Sequence, residues 1–308
     1  MVFAVFLLIV VLITVPIVLE RQRQPITRAM RAEAPGRFAT LSNGVTHYQW
    51  AGTSSGRHVV CIHGLTTPAF VWTALVKAFA LMGFRVLTYD LYGRGFSARP
   101  EGEQNAEFFR TQLRELIEDQ KVDDDVILVG YSMGGMIATD YAANFPDKVE
   151  RIILVASAGL GQRIKPLVRL MIHIPVVGDG LMYAFGGVLF GKFEAPLAAA
   201  QEAKPELKPW NLPRAQGQGY LPAVLSSYRH MLPQDQLDLH RKIAEHKIPV
   251  LAIWAEDDST IPLSAMGRLA EVNREARQDV VADAGHGLPY TNSKDIVPIV
   301  QEYLRNVV

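Results

Sequence analysis

One serine in this 308-residue chain sits where a nucleophile could be made, in the G-x-S-x-G run Gly130-Tyr131-Ser132-Met133-Gly134. Its context carries more weight than the match. Val126–Val129 reads as a buried strand and Met136–Asn144 as a helix, so the run spans a sharp strand-to-helix turn. Such a turn forces the serine into strained backbone angles and needs small residues where strand and helix nearly touch. It presents the hydroxyl at a helix N-terminus, where the Met133 backbone N–H would face a developing oxyanion. The pattern recurs at Gly52-Thr53-Ser54-Ser55-Gly56, but no helix follows, and that run reads as a hairpin turn between two strands. A serine hydroxyl attacks only when a base takes its proton, and histidine has the pKa for that exchange near neutral pH. An acid must then hold the imidazole in one tautomer.

The elements that would position this chemistry alternate along the chain. Short apolar, β-branched-rich runs predict strands at Val45–Trp50, His58–Ile62, Arg85–Asp90, Val126–Tyr131, Arg151–Ala156, Pro249–Ala255 and Asp279–Ala282. Helices are predicted between them at Phe70–Leu81, Ala106–Gln120, Met133–Asn144, Leu263–Val272 and Pro298–Asn306. This alternation implies a mostly parallel sheet with helices on both faces. From about Leu160 to Pro233 the pattern breaks into a Pro- and Gly-rich stretch with apolar helix candidates at Leu167–Ile174 and Leu181–Phe190. That is too long for a plain loop, so it reads as an inserted helical cap. Arg169, His173 and Asp179 interrupt the rival reading of a second membrane span.

In this setting the chain resembles the α/β-hydrolase superfamily, serine esterase and monoacylglycerol-lipase-like branch, over about residues 38–308. Five motifs carry the resemblance in order. His63-Gly64 follows a strand at the position of the family's oxyanion loop. Asp90-Leu91-Tyr92-Gly93-Arg94-Gly95-Phe96-Ser97 matches its D-x-x-G-x-G-x-S turn. The elbow holds Ser132; Asp258 lies in Ala255-Glu256-Asp257-Asp258-Ser259-Thr260-Ile261-Pro262, similar to G-x-x-D-x-x-x-P; and Gly285-His286 follows the last strand. The resemblance implies a triad of Ser132, Asp258 and His286, with oxyanion donors from the backbone N–H groups of Leu65 and Met133.

Of eight histidines, His286 alone combines a post-strand loop, a glycine on each side and a place after the acid. Asp257, immediately before Asp258, is the competing acid. The family's alternative acid position near Ser157 is empty, since no Asp or Glu occurs from Arg151 to Gly178. Ala255 stands where the family usually has Gly. His63 reads as a shaper of the oxyanion loop; His173 and His230, in the cap, are candidates to line the pocket. Arg94 and Tyr92 are assigned no chemistry. Haloalkane dehalogenases and epoxide hydrolases of this fold resemble the pattern too, but carry Asp where Ser132 stands.

Composition sets the outer bounds. Lys+Arg and Asp+Glu both number 31, which argues against a general nucleic-acid binder. The single cysteine, Cys61, excludes a disulfide framework and Cys-based metal sites, and reads as a small core residue. No metal or organic cofactor is implied. The chain is 49% hydrophobic, and much of the excess lies in Met1–Leu19, where only Thr14 and Pro16 are not apolar. As a helix this run spans about 28 Å, close to the hydrocarbon thickness of a bilayer. No basic residue precedes it, and the Ala32-Glu33-Ala34 site lies far behind it, so a retained anchor fits better than a cleaved signal peptide. Five arginines follow (Arg21, Arg23, Arg28, Arg31 and Arg37), which places the rest of the chain on the cytoplasmic side.

The expected organisation is a transmembrane anchor at 1–19, a juxtamembrane linker at 20–37, and an α/β-hydrolase domain at 38–308 with its cap at about 160–233. The cap carries eight Lys/Arg against four Asp/Glu and a dense apolar stretch over Pro166–Phe190. An apolar cap over a serine site suggests an acyl pocket facing a membrane. The expected partners are an apolar small-molecule ester and the lipid bilayer. The expected function is a membrane-anchored serine hydrolase of lipid-like esters. The alternatives are C–C bond hydrolysis or acyl transfer by the same triad, and a non-catalytic binding protein on this fold.

Overall fold

Eight strands form one sheet in the order β1-β2-β4-β3-β5-β6-β7-β8. They are β1 Arg37–Leu41, β2 Gly44–Gly52, β3 His58–Ile62, β4 Arg85–Tyr89, β5 Val126–Tyr131, β6 Val149–Val155, β7 Val250–Ala255 and β8 Arg277–Val281. Only β2 runs against its neighbours; from β4 to β8 every pairing is parallel. The computed structural model describes residues 3, 14–122, 125–193 and 217–305.

Successive residues of the central strands feed opposite faces. Val60, Ile62 and Leu128 join one apolar cluster with the helices Ala106–Asp119, Met133–Asn144, Leu237–Glu245 and Ser264–Val272. Val59, Cys61, Ile127 and Val129 join the other with Thr73–Leu81 and Ser293–Arg305. Burial on both faces is why these strands read as unbroken apolar runs. Cys61 is fully buried and unbridged, and burial pushes its thiol up, away from a reactive thiolate.

Two expectations need correction. The Gly52–Gly56 run is not a hairpin turn, because β4 lies between β2 and β3 and pairs with both. Ser54 is exposed on that connection. The last helix starts at Ser293, not Pro298; the proline sits inside it on an exposed face. A proline inside a helix lacks one N–H donor, but the buried face made by Ile296, Val300, Tyr303 and Leu304 holds this helix together around it. The edge strand β1 and the helix Leu237–Glu245 were not anticipated.

Most of the apolar run 1–19 lies outside the described residues. Residues 14–21 are helical, and among the described residues no helix is long and apolar enough to cross a membrane. The linker beyond contains a short helix, Arg28–Ala32, capped by Thr27. The expected cap holds the helices Pro166–His173, Val177–Phe193 and Tyr220–His230, packed around Met171, Met182, Phe190, Leu221 and Val224. Residues 194–216 of it lie outside the described residues.

The turn after β4 is fastened by a buried ion pair. Asp90 accepts from the Ala69 and Phe96 N–H groups and from His47 Nδ1 at 2.8 Å. His47 Nε2 meets the Pro35 carbonyl. Both of these partners only accept, so His47 donates from both nitrogens and is an imidazolium. Burial opposes that charge, but Asp90 and the Pro35 carbonyl outweigh it and raise the His47 pKa. Burial likewise works against the Asp90 carboxylate, and His47 overcomes it to hold Asp90 below its usual value.

The stability contributed by His47 is therefore complete below its unfolded pKa of about 6.5 and fades as pH rises through the raised folded value. That of Asp90 is lost only as pH falls through its depressed folded value, below about 3.9. We predict that the gap in urea midpoint between the wild type and His47→Gln is widest near about pH 5 to 6, below the unfolded value, and narrows as pH rises through the raised folded pKa of His47. A gap that widens with pH would contradict the pairing.

Candidate active site

Ser132 leaves β5 with φ 53° and ψ −119°, outside the regions a non-glycine residue ordinarily occupies. Its backbone makes the strain tolerable: the N–H bonds the Val155 carbonyl, and its carbonyl accepts from Gly135 and Ala158. The flanking glycines are required by space. A Cβ on Gly130 would lie 2.5 Å from the Gly134 carbonyl oxygen, and one on Gly134 would run into the carbonyls of Ile62 and His63.

The loops after β5, β7 and β8 converge here. His286 Nε2 lies 3.0 Å from Ser132 Oγ, and His286 Nδ1 lies 2.7 Å from Asp258 Oδ2. A carboxylate only accepts, so Nδ1 carries the proton and Nε2 is left as the acceptor for the Ser132 hydroxyl. Asp258 is buried, and its other oxygen accepts from the Thr260 and Ile261 N–H groups at 2.7 and 2.9 Å. Both oxygens are thus committed, which fixes the plane of the carboxylate. Asp257 is exposed on the cavity wall and does not reach the imidazole. Tyr131 braces the histidine from below, its hydroxyl donating to the His286 carbonyl at 2.9 Å.

The expected oxyanion donors are the backbone N–H groups of Leu65, which lines the cavity holding Ser132 and His286, and of Met133, which follows the serine directly. Met133 is the first residue of its helix, and its N–H, like that of Leu65, bonds no protein acceptor among the described residues. His63 is structural: Leu91 N–H donates to its Nε2 and its Nδ1 bonds the Gly64 carbonyl. Burial lowers its pKa to about 4, keeping it neutral. Ser157, the alternative acid position, is buried against Gly135.

A cavity of about 780 Å³ opens over Ser132 and His286. Leu65, Val168, Phe190, Tyr228 and Leu232 form its apolar side, with Arg163, Lys165 and Asp257 among its polar residues. Neither His173 nor His230 lines it; His173 is exposed and His230 lies 3.7 Å from Glu103. Among the described residues no cluster of three or more His, Cys, Asp or Glu side chains could hold a metal ion.

One contributor escaped the sequence reading. Arg94 is fully buried and has no carboxylate partner among the described residues. Its Nε donates to the Leu65 carbonyl at 2.8 Å, and its other nitrogens reach Tyr92, Gln104 and, on the cap helix, Ser227 at 2.8 Å. Tyr220 of the same helix donates to the Thr66 carbonyl at 3.1 Å. The loop bearing Leu65 is thus clamped to the cap by a guanidinium fork. No local pattern reveals this, because Leu65 and Ser227 are remote from Arg94 in sequence. A lysine cannot reproduce that fork. Arg94→Lys should therefore lower kcat by roughly 10- to 100-fold with a smaller change in KM, as misplaced donors do. An unchanged kcat in steady-state ester assays would refute the clamp.

Comparison with known proteins agrees with this fold. A family model described as the α/β hydrolase fold matches residues 57–293. The chain is 24% identical over 252 residues to Lipase 1 of Psychrobacter immobilis, covering 78% of this chain and 74% of that one. A solved thermophilic esterase from Thermogutta terrifontis is similar with a TM-score of 0.71 and 22% identity, covering 89% of this chain and 99% of that one. A meta-cleavage product hydrolase from Pseudomonas fluorescens IP01 is similar with a TM-score of 0.67 and 19% identity, covering 89% and 98%. At such identities the structural likeness speaks for the fold.

Proposed function

The chain belongs to the α/β-hydrolase fold family, and on that premise we propose that it is a serine hydrolase cleaving carboxylic esters of apolar acyl groups. The observation that carries this reading is the hydrogen-bonded series Asp258–His286–Ser132 at the floor of the cavity. Ser132 Oγ attacks the ester carbonyl as its proton passes to His286 Nε2. The carbonyl oxygen, now negative, takes the Leu65 and Met133 N–H groups as donors. Asp258 stabilises the imidazolium, which then protonates the leaving alcohol. Water, activated by the same imidazole, releases the acid from the acyl-enzyme.

The apolar side of the cavity supports an acyl chain as the buried half of the substrate. The presence of a lipase and an esterase among the similar proteins favours esters over other acyl compounds. We further propose that the run 1–19 anchors the protein in a membrane with the catalytic domain on the cytoplasmic side, as its length and the arginines behind it support.

A series of p-nitrophenyl esters from acetate to palmitate, turned over by the full-length protein, tests the substrate class. Each buried methylene contributes about 0.8 kcal/mol, so kcat/KM should rise roughly fourfold per carbon until the cavity is full. A series that is flat or falling from acetate onwards would remove the apolar acyl pocket. Absence of ester turnover together with cleavage of a meta-cleavage dienoate would favour C–C hydrolysis.

A further inference from the structure

A second cavity, of about 590 Å³, shares no lining residue with the one over Ser132. It lies between the linker that leaves the apolar run, the loop 97–104 after β4, and the start of the helix Tyr220–His230. The linker is firmly docked there. Glu20 accepts from the Gly219 N–H at 2.7 Å, Arg23 donates to the Tyr183 carbonyl at 2.8 Å, and the Gln218 N–H reaches the Gln24 carbonyl at 2.9 Å.

Three arginines, Arg21, Arg31 and Arg99, line this cavity. Arg31 spends its Nε on the Phe96 carbonyl and Arg99 its Nη1 on the Gln218 carbonyl, both at 3.0 Å. The buried Nε of Arg99 has no hydrogen-bond partner, and neither guanidinium pairs with a carboxylate among the described residues. Two carboxylates also line the space. Glu20 is taken up by Arg23 at 2.7 Å, and Glu101 bonds neither arginine. Burial lowers the Arg99 pKa to about 10, with the Arg31 charge acting the same way and Tyr220, Glu20 and Asp90 acting against it. Like charges held together with donors to spare are what a multidentate oxyanion requires. Ile17, Pro25, Ile26 and Pro222 give the same cavity an apolar wall on the side of the N-terminal run.

We propose that this cavity binds a phosphate group between Arg31 and Arg99. Two sources share that chemistry, a phospholipid headgroup beside the N-terminal run and a soluble phosphate. Hydrolysis at Ser132 plays no part, so failure of either assignment leaves the other standing.

The test is calorimetric titration of the full chain, in a neutral maltoside detergent, with octyl phosphate, inorganic phosphate, octanoate and octyl glucoside. Octyl phosphate should saturate a single site, and octyl glucoside should give none. Arg31→Gln and Arg99→Gln should each weaken octyl phosphate by about tenfold or more, the effect of losing a hydrogen bond to a charged group. Arg99→Lys, which keeps the charge, should fall between; melting curves of each variant separate lost binding from lost fold. Tighter binding of octyl phosphate than of inorganic phosphate supports the lipid source, and equal binding supports the soluble one. Equal binding of octyl glucoside, tighter binding of octanoate, or full affinity in folded variants would overturn the proposal.

Discussion

Ser132→Ala should lower kcat for p-nitrophenyl butyrate on the order of 10⁶-fold, the largest effect of any single substitution in the chain. The change removes the nucleophile and leaves its surroundings in place. The backbone bonds of residue 132 to Val155, Gly135 and Ala158 do not involve the hydroxyl. The strained φ of 53° is already borne by a residue with a Cβ, so alanine adds no new conformational cost. Folding should be preserved, and the melting midpoint should stay close to that of the wild type. What survives is the oxyanion pair and the cavity, which alone account for roughly 10³- to 10⁴-fold over water. Loss of activity accompanied by loss of fold would not count as this result; circular dichroism of the variant decides.

The second large effect is expected at Asp258. Asp258→Asn is nearly isosteric, yet it should cost about 10⁴-fold in kcat. The reason lies in the other oxygen. Thr260 and Ile261 donate their N–H groups to Asp258 Oδ1, so an asparagine must place its carbonyl oxygen there. Its NH₂ is then turned towards His286 Nδ1, which has to become an acceptor. The imidazole proton moves to Nε2, the atom that must receive the proton of Ser132, and the base is disabled by the wrong tautomer. Asp257→Asn, one residue away but exposed, should change kcat by no more than about twofold, since surface substitutions rarely exceed ~0.5 kcal/mol. A large loss at Asp257 with little at Asp258 would reverse the assignment. Steady-state assays of both variants at one pH are sufficient.

The site was legible where local rules and chemistry coincide. A buried strand, a glycine-flanked serine and a helix occur in succession, and each is recognisable alone. Asp258 and His286 follow strands and were ordered by family register. Their bond lengths, and the choice between Asp258 and Asp257, depend on how two loops meet in space. Other features were opaque for identifiable reasons. The strand β1 is a short edge element, Arg37-Phe38-Ala39-Thr40-Leu41, with too little alternation to stand out. The misread hairpin at Gly52–Gly56 arose because turn residues look alike whether the next strand pairs alongside or, as here, lies beyond an inserted β4. Arg94 lies in the turn after β4, to which the sequence assigns no chemistry. Only the fold shows that its guanidinium joins the Leu65 loop to the cap at Ser227. The linker looked like a tether, whereas Glu20, Arg23 and Gln24 all grip the cap region.

The central claim is that Ser132 becomes acylated by its substrate. The most direct measurement is to treat the full-length protein with a fluorophosphonate probe and locate the adduct by tandem mass spectrometry. The account predicts one adduct, on Ser132, blocked by prior incubation with an ester substrate and absent from Ser132→Ala. Labelling at another residue, or undiminished ester turnover by an unlabelled Ser132→Ala protein, would contradict it.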